Sequence, residues 1–275
     1  CRLLLRPNCR FPIGFPTSQR RRMTESVLLT TTRLTTFDGD RVLTGATGFF
    51  FEREGRLFLV TSRHVFVDTP TKHFPNRIEV EVHTDGVNLT GVYVLSLWLY
   101  ADGKSQWRQG GDSGGEIDVA AIEIPRSALP SPAAFVAFRP EHLQRSLDEV
   151  EVGSALLIVG FPLGFHDVIH HLPVVRHAVI SSAFGVRFQG QGFFLTDART
   201  HRGTSGAAVV MRDPEVDPRL PWRLLGVHSS RLDMGTRDLK LDESLGLNCA
   251  WYADILLTLT APLAVPATDG IAGSP

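Results

Sequence analysis

Three short segments carry side chains that together could perform nucleophilic catalysis. His64 follows an apolar run in LFLVTSRHV, Asp118 opens the apolar run of IDVAAIEI, and Ser205 lies in the glycine-flanked stretch RGTSGAA. A serine hydroxyl is a poor nucleophile until an imidazole removes its proton, and a buried carboxylate fixes the tautomer of that imidazole. The chain therefore offers a catalytic set for acyl transfer in the order His64, Asp118, Ser205.

The glycines beside Ser205 point to the same chemistry. Gly203 and Gly206 allow the loop to turn tightly, so that backbone N–H groups can face a single hole. We expect the N–H groups of Gly203 and Ser205 to form that hole and to stabilise the oxyanion of a tetrahedral intermediate.

Short strands must position these residues, because β-branched and aromatic runs recur between turn signals along most of the chain. A polar, glycine-rich loop is predicted at 101–116, a proline-rich connector at 125–147 and a helix at 252–260. The predicted strands are 27–36, 47–52, 57–61, 78–83, 92–100, 117–124, 155–160, 178–184, 192–196, 207–211, 222–228 and 246–250. This pattern favours an all-β sandwich or barrel.

The motifs resemble the trypsin-like serine peptidase superfamily, and most of all its bacterial branch around the high-temperature-requirement proteases. The segments that carry the resemblance are GATGFFF, LVTSRHV, IDVAAIEI, VGFPLGF, ISSAFG, TDARTHRGTSGAAVV and LLGVHSS. It implies a serine endopeptidase made of two six-stranded antiparallel Greek-key β-barrels of the chymotrypsin type, with a short C-terminal helix. The barrels are expected at 23–140, with His64 and Asp118, and at 141–260, with Ser205, and the active site lies between them.

A few positions depart from the pattern of the superfamily. Thr204 stands where trypsin-type enzymes carry an aspartate that pairs with a new N-terminus, so activation by that cleavage is not expected. Ala207 and Ala208 replace the usual Gly-Pro, and the methyl group of Ala207 is expected to crowd the loop. No PDZ-type domain is expected. A protease-fold module that binds peptides with little turnover stays open as a second interpretation.

An esterase of the α/β-hydrolase type is disfavoured for two reasons. The histidine precedes the serine along the chain, and GTSGA breaks the Gly-x-Ser-x-Gly pattern that such enzymes place between a strand and a helix.

The segment LLGVHSS is expected to lie along the primary specificity pocket, which makes His228, Ser229 and the nearby Arg199 candidate substrate-binding residues. Two alternatives stay open for His228. Its imidazole could hydrogen-bond a P1 glutamate or glutamine, as the Gly-x-His of glutamyl endopeptidases and of some viral proteases does. Alternatively, it points into the barrel and the pocket takes a small aliphatic P1 residue.

Two further motifs resemble a nucleophile loop and a metal site, but the sequence around them favours neither. GDSGG at 111–115 matches the trypsin nucleophile signature, but its Ser113 precedes Asp118 and leaves no room for a barrel after His64. His166 and His170 would share a face if they were helical, but the flanking prolines and the lack of a third ligand beyond His171 favour a solvated loop over a metal site. No metal or other cofactor is expected.

Composition restricts the partners. The net charge of −1 gives no global signal for nucleic acid, and no apolar run is long enough for a membrane span. The resemblance to serine peptidases implies a protein or peptide substrate as the partner. Residues 1–22 hold six arginines and no acid, and we predict an unstructured leader or a non-native N-terminal extension there and a flexible tail at 261–275. Cys249 is the one cysteine of the predicted barrels, which favours a reducing, cytoplasmic compartment.

Overall fold

The computed structural model describes residues 24–231 and 246–262, so the predicted leader and most of the predicted tail lie outside the described residues. Strands dominate the described part of the chain, together with one short α-helix, α1 (Ile255–Leu259). The strands are β1 (Thr31–Asp38), β2 (Arg41–Arg53), β3 (Arg56–Thr61), β4 (Arg77–His83), β5 (Val92–Trp98), β6 (Tyr100–Ala101), β7 (Lys104–Ser105), β8 (Trp107–Asp112), β9 (Gly115–Ile124), β10 (Ala155–Gly160), β11 (Val174–Val179), β12 (Phe193–Thr196), β13 (Ala208–Arg212), β14 (Trp222–Arg231) and β15 (Asn248–Tyr252).

Short 3₁₀ helices form several of the connections between strands. They are Ser26–Thr30, Arg63–Val65, Arg126–Ala128, Pro140–His142, Leu147–Glu149, Pro162–Gly164 and Phe188–Gly190. None of the helices described here has the length and apolar character needed to cross a bilayer.

The first sheet is antiparallel, with its strands in the order β5-β4-β1-β2-β3-β9-β8. The aromatic run on β2 shows the alternation that drives its burial, because Phe50 packs inside this sheet while Phe49 and Phe51 face the other way. The N–H of Gln106, just before β8, donates to the carbonyl of Leu99, just after β5, at 2.9 Å. The outer strands are thereby drawn together, and the sheet curls into a barrel.

The second sheet follows the same plan with six strands in the order β11-β10-β13-β14-β15-β12. An antiparallel bridge between Ile180 and Thr196 joins its two outer strands and closes the curl. Its interior is apolar, with Ile158, Val209 and Leu225 fully or almost fully buried. β13 follows Ser205 directly, so the wall of this barrel anchors the predicted nucleophile loop.

A third apolar cluster lies between the two sheets. It combines Phe49 and Phe51 from β2 with Val159 from β10 and Trp251 from β15. Phe138, from the connector between the barrels, packs edge-to-face on Phe49 with ring centroids 5.8 Å apart. This shared core holds the two barrels against each other, and the predicted catalytic residues come from both of them.

The polar segment 101–116, predicted as a loop, is the main correction to the predicted elements. It contains β7 and β8 and the first residues of β9, so the first sheet holds seven strands where six were expected. Backbone pairing with β9 needs no apolar side chain, and for that reason the hydropathy pattern does not reveal β8.

Smaller shifts affect the element ends. The strand expected at 178–184 lies at Val174–Val179, residues 26–30 form a 3₁₀ helix before β1, and the helix expected at 252–260 is shortened to Ile255–Leu259. The two sheets lie within the predicted barrel ranges, and the boundary at 140 stays a prediction.

Candidate active site

His64 and Asp118 are brought together by neighbouring strands of the first sheet. β3 pairs with β9 through Thr61 and Ala120, so His64, in the turn after β3, lies beside Asp118 near the start of β9. Oδ2 of Asp118 lies 2.7 Å from Nδ1 of His64, and Oδ1 accepts from the backbone N–H of His64 at 2.8 Å. The carboxylate thus binds both the backbone and the ring of His64, and a proton on Nδ1 leaves Nε2 as the free base.

The carboxylate also sets the charge state of the imidazole. Burial lowers the pKa of His64, but the hydrogen bond and the negative charge of Asp118 outweigh it, so that pKa lies above its usual value of 6.5. Burial raises the pKa of Asp118, yet the contacts with His64 and Ser229 hold that pKa below its usual value. Asp118 is therefore ionised at neutral pH and stabilises an imidazolium.

Ser205 reaches these two residues through Ser229. The Ser205 hydroxyl donates to the carbonyl of Ser229 at 3.0 Å, and the Ser229 hydroxyl donates to Oδ2 of Asp118. Ser205 is thus connected to Asp118 and His64 through two different groups of Ser229, its carbonyl and its hydroxyl, and these contacts together form the network of the site. No hydrogen bond joins Ser205 Oγ to His64 within the described residues, so the hydroxyl must rotate away from Ser229 before the imidazole can take its proton.

The loop around Ser205 leaves two backbone donors uncommitted. The N–H groups of Gly203 and Ser205 make no hydrogen bond within residues 24–231 and 246–262. The neighbouring groups are engaged: Thr204 N–H donates to His201 at 3.1 Å, Gly206 N–H to His228 at 2.8 Å and Ala207 N–H to Thr204 at 2.9 Å. Gly203 has φ +89°, and a β-carbon there would lie 2.6 Å from the carbonyl oxygen of Phe161, which explains the glycine.

A sequence profile of the trypsin-like peptidase domain matches residues 46–216, a range that includes His64, Asp118, Ser205 and the glycine loop. The chain belongs to the trypsin-like peptidase family. The resemblance to the trypsin-like serine peptidase superfamily is thereby confirmed. A search of curated proteins finds no match.

Among solved structures, the chain is similar to the serine endoprotease from Yersinia pestis, with a TM-score of 0.50 and 16% identity. The match covers 85% of this chain and 62% of that one, so the chain spans less than two thirds of its structural relative. At this identity the likeness shows the fold, and it confirms the predicted all-β architecture of two barrels.

The three predicted substrate-binding residues lie in different surroundings. His228 is 2% exposed, and its Nδ1 has no hydrogen-bond partner in the described part of the chain. Burial lowers the pKa of His228 to about 3, with a further contribution from the charge of His64, so its imidazole is neutral. Ser229 contacts Asp118, while Arg199 is exposed on the loop before Ser205. Their roles in binding substrate stay predictions.

The contact between Ser229 and Asp118 is a feature that sequence reasoning missed. The sequence predicts Ser229 on the substrate side only, because LLGVHSS resembles a strand along the specificity pocket. The sequence signal for this contact is a serine directly after His228, on a strand expected to pass close to His64, Asp118 and Ser205. In the structure this hydroxyl gives the half-buried carboxylate of Asp118 a further donor.

The second serine motif lies in a hairpin. Asp112 pairs with Gly115 across the turn between β8 and β9, and Ser113 is exposed at its tip. Asp112 accepts from the N–H of Gly114 at 2.7 Å and forms an ion pair with Arg187 at 2.6 Å. The Asp112 carboxylate therefore stabilises a hairpin turn, and GDSGG does not form a nucleophile loop.

The histidine cluster makes contacts of a structural kind. Nδ1 of His170 lies 2.7 Å from Asp167, and Nδ1 of His171 lies 3.2 Å from Glu81 on the first barrel. His166 contacts the carbonyl of Gly164 through its own Nδ1 at 2.6 Å. Among the described residues no group of three or more such side chains could hold a metal ion.

The two departures beside the nucleophile fit the loop. Ala207 is fully buried in the interior of the second barrel, and the facing Gly160 makes room for it, because a β-carbon on Gly160 would lie 3.2 Å from that of Ala207. The expected crowding is thus relieved by a glycine on β10. The side chain of Thr204 is buried, and its hydroxyl has no partner among the described residues.

Proposed function

We propose that the protein is a serine endopeptidase that hydrolyses peptide bonds in protein or peptide substrates through His64, Asp118 and Ser205. The observation that carries the proposal is the network from Ser205 through Ser229 and Asp118 to His64, beside the two uncommitted N–H groups of Gly203 and Ser205. The match to the trypsin-like peptidase domain supports the same class of reaction.

The proposed reaction begins when the Ser205 hydroxyl rotates to Nε2 of His64. The imidazole takes the proton while Oγ attacks the carbonyl carbon, and the N–H groups of Gly203 and Ser205 receive the oxyanion. Asp118 stabilises the imidazolium, which then protonates the leaving amine. Water, deprotonated by His64, hydrolyses the resulting acyl-enzyme and frees Ser205.

One observation favours a second candidate function, a peptide-binding module with little turnover. The Ser205 hydroxyl donates to Ser229, whereas turnover requires its proton to face His64. The two candidates differ in a single property, which is whether Ser205 reacts as a nucleophile.

A fluorophosphonate probe measures that property directly. We expect the purified protein to be labelled on Ser205 and to hydrolyse a casein substrate, and Ser205→Ala to lose both, with a fall in kcat of up to about 10⁶-fold. Ser113→Ala is the matched control, since it removes the other serine of a glycine-rich motif and should leave labelling unchanged. A folded protein that binds peptides yet is never labelled would establish the binding module instead.

A further inference from the structure

Thr47 lies where the first barrel meets the nucleophile loop. It is fully buried on β2, and its hydroxyl donates to the carbonyl of Gly203 at 2.7 Å while accepting from the N–H of Phe161 at 3.0 Å. Its own N–H donates to the carbonyl of Ser205 at 3.0 Å, and its carbonyl accepts from the Thr61 hydroxyl at 2.7 Å. One side chain and its backbone thus bind both residues expected to supply the oxyanion hole.

The direction of an oxyanion donor follows from the carbonyl of the same peptide unit. In a planar trans peptide the N–H and the C=O point in opposite directions. The carbonyl of Arg202 accepts from Leu163 N–H at 2.6 Å, so the Gly203 N–H of the same peptide unit points away from Leu163. The carbonyl of Thr204 accepts from Ala207 N–H at 2.9 Å, so the Ser205 N–H points away from Ala207.

The peptide unit between those two is held from the opposite barrel. Its carbonyl belongs to Gly203, and within the described residues the Thr47 hydroxyl is its hydrogen-bond donor. Gly203 has φ +89° and no side chain, so its backbone could rotate at low conformational cost. A rotation there would turn the Gly203–Thr204 unit and change the spacing of the two donors on either side.

We propose that Thr47 is a positioning residue that holds the oxyanion hole in its reactive geometry by fixing the carbonyl of Gly203. This inference rests on the proposed serine peptidase function, because it concerns the same loop. Thr47 touches no reacting atom, and its effect passes through Gly203 and Ser205. It also makes the hole depend on the docking of the two barrels, since Thr47 and the loop belong to different sheets.

Thr36 provides a matched control for the loss of a buried hydroxyl. It is fully buried on β1 of the same sheet, donates to the carbonyl of Thr44 at 3.2 Å and accepts from the Thr44 N–H at 3.2 Å. Thr36→Val therefore removes a hydroxyl that both donates and accepts, as Thr47→Val does, but at a site that contacts no part of the nucleophile loop.

The experiment compares Thr47→Val, Thr47→Ser and Thr36→Val in the full chain. For Thr47→Val we expect kcat to fall roughly tenfold to hundredfold, less than the loss from removing an oxyanion donor, with KM changed less than about twofold. The affinity for a peptide boronate, which places an oxygen in the hole, should fall with kcat. Thr47→Ser keeps the hydroxyl and should restore both, and Thr36→Val should leave both near the wild-type values.

Amide hydrogen exchange supplies a readout that does not require turnover. Peptides covering 200–207 should exchange faster in Thr47→Val than in Thr36→Val. If the wild-type chain neither reacts with the fluorophosphonate nor hydrolyses casein, the proposed function fails, while exchange still decides the role of Thr47. Equal exchange and equal kinetics in the two valine variants would overturn the inference. Should Thr47→Val not fold, Thr47→Ala carries the same expectation without a second methyl group beside the Gly203 carbonyl.

Discussion

Asp118 acts on His64 through its charge, which raises the pKa of the imidazole, and through its hydrogen bond, which orients the ring. The pH dependence of kcat/KM reports the first effect, and the size of kcat reports the second. The pKa of His64 is raised because the hydrogen bond and charge of Asp118 outweigh burial. General-base catalysis needs the neutral imidazole, so kcat/KM should rise with pH through an inflection above 6.5.

Asp118→Asn tests that cause. With the carboxylate gone, the charge of Asp68 alone opposes the effect of burial on the pKa of His64, so the inflection should move to lower pH. The kcat should fall roughly 10⁴-fold because the tautomer is no longer fixed. The pH dependence of kcat/KM for a peptide substrate measures both effects. The raised pKa of His64 also means that its pairing with Asp118 stabilises the fold below pH 6.5, and that this stabilisation is lost as pH rises through the raised pKa. The Tm of Asp118→Asn should therefore differ most from that of the wild-type chain on the acidic side. An inflection at the wild-type pH would contradict the assignment.

His228 is a buried histidine with an unused nitrogen next to the catalytic network. Its pKa of about 3 keeps it neutral, and Arg199 is exposed, so neither offers a buried cation for a P1 carboxylate. A substrate that pairs with an imidazole gains about 1–3 kcal/mol over one that leaves it unpaired. Under the first alternative from the sequence, in which the imidazole hydrogen-bonds the P1 side chain, we therefore predict cleavage after Gln in preference to Glu; under the second, the P1 residue is small and aliphatic.

A peptide-library digest read by mass spectrometry checks this preference. In His228→Ala the advantage of Gln over Ala or Val at P1 should fall about tenfold or more, because the hydrogen bond is lost. If cleavage follows Val, Ala or Leu in both proteins, His228 serves only the interior of the second barrel.

Among the elements, the hairpin of β8 and β9 shows which strands can be predicted from the sequence: the apolar part of β9 can, and β8 cannot. The sequence predicts the ends of apolar strands such as β3 and β10 within about one residue, because the side chains that a strand buries must be apolar. β8 reads WRQGGD and is held mainly by backbone pairing to β9, which leaves no such trace. The order of His64, Asp118 and Ser205 was likewise readable, but the rotamer of Ser205 and the contact from Ser229 depend on packing between distant segments.

The turn of that hairpin makes a prediction about stability. Gly115 has φ +116°, and a β-carbon there would meet nothing within 4 Å, so alanine brings conformational strain without a clash. Gly115→Ala should destabilise the fold by about 1–2 kcal/mol. Differential scanning calorimetry should show a fall of roughly 2–4 °C in Tm for each kcal/mol, with kcat unchanged at temperatures well below the transition.

Ser113→Ala is the control for this hairpin, because Ser113 is exposed at its tip and should shift neither Tm nor kcat. A Tm for Gly115→Ala equal to that of the wild-type chain would mean that the turn adopts another conformation.

At the scale of the whole molecule, the apolar cluster between the sheets joins the two halves of the site. Phe138 of the connector donates its N–H to Phe50 at 2.9 Å and accepts from Glu52 at 2.7 Å, so it runs beside β2 as an added edge. His64 and Asp118 come from one barrel and Ser205 from the other, and their network crosses this interface. A motion that separates the barrels would therefore break the network from Ser205 to His64 before either barrel unfolds.

Cys249 reports on such a motion, because its thiol is buried in the cluster between the barrels. Burial raises the pKa of Cys249 to about 11, so at pH 8 only about one molecule in a thousand carries the reactive thiolate, and the fold blocks access as well. We expect Cys249 to resist iodoacetamide in the native protein at pH 8 and to react readily in guanidinium chloride. Peptide mass spectrometry distinguishes it from the other two cysteines, Cys1 and Cys9.

The same reaction separates opening of the interface from global unfolding. Phe138→Ala removes a fully buried ring that packs on Phe49, and the expected loss of stability is about 3–5 kcal/mol. If the barrels separate first, alkylation of Cys249 in this variant should speed up at denaturant concentrations below those that change the far-ultraviolet circular dichroism. If alkylation and circular dichroism change together, the two barrels open as one cooperative unit, and the network of the site is then as stable as the fold.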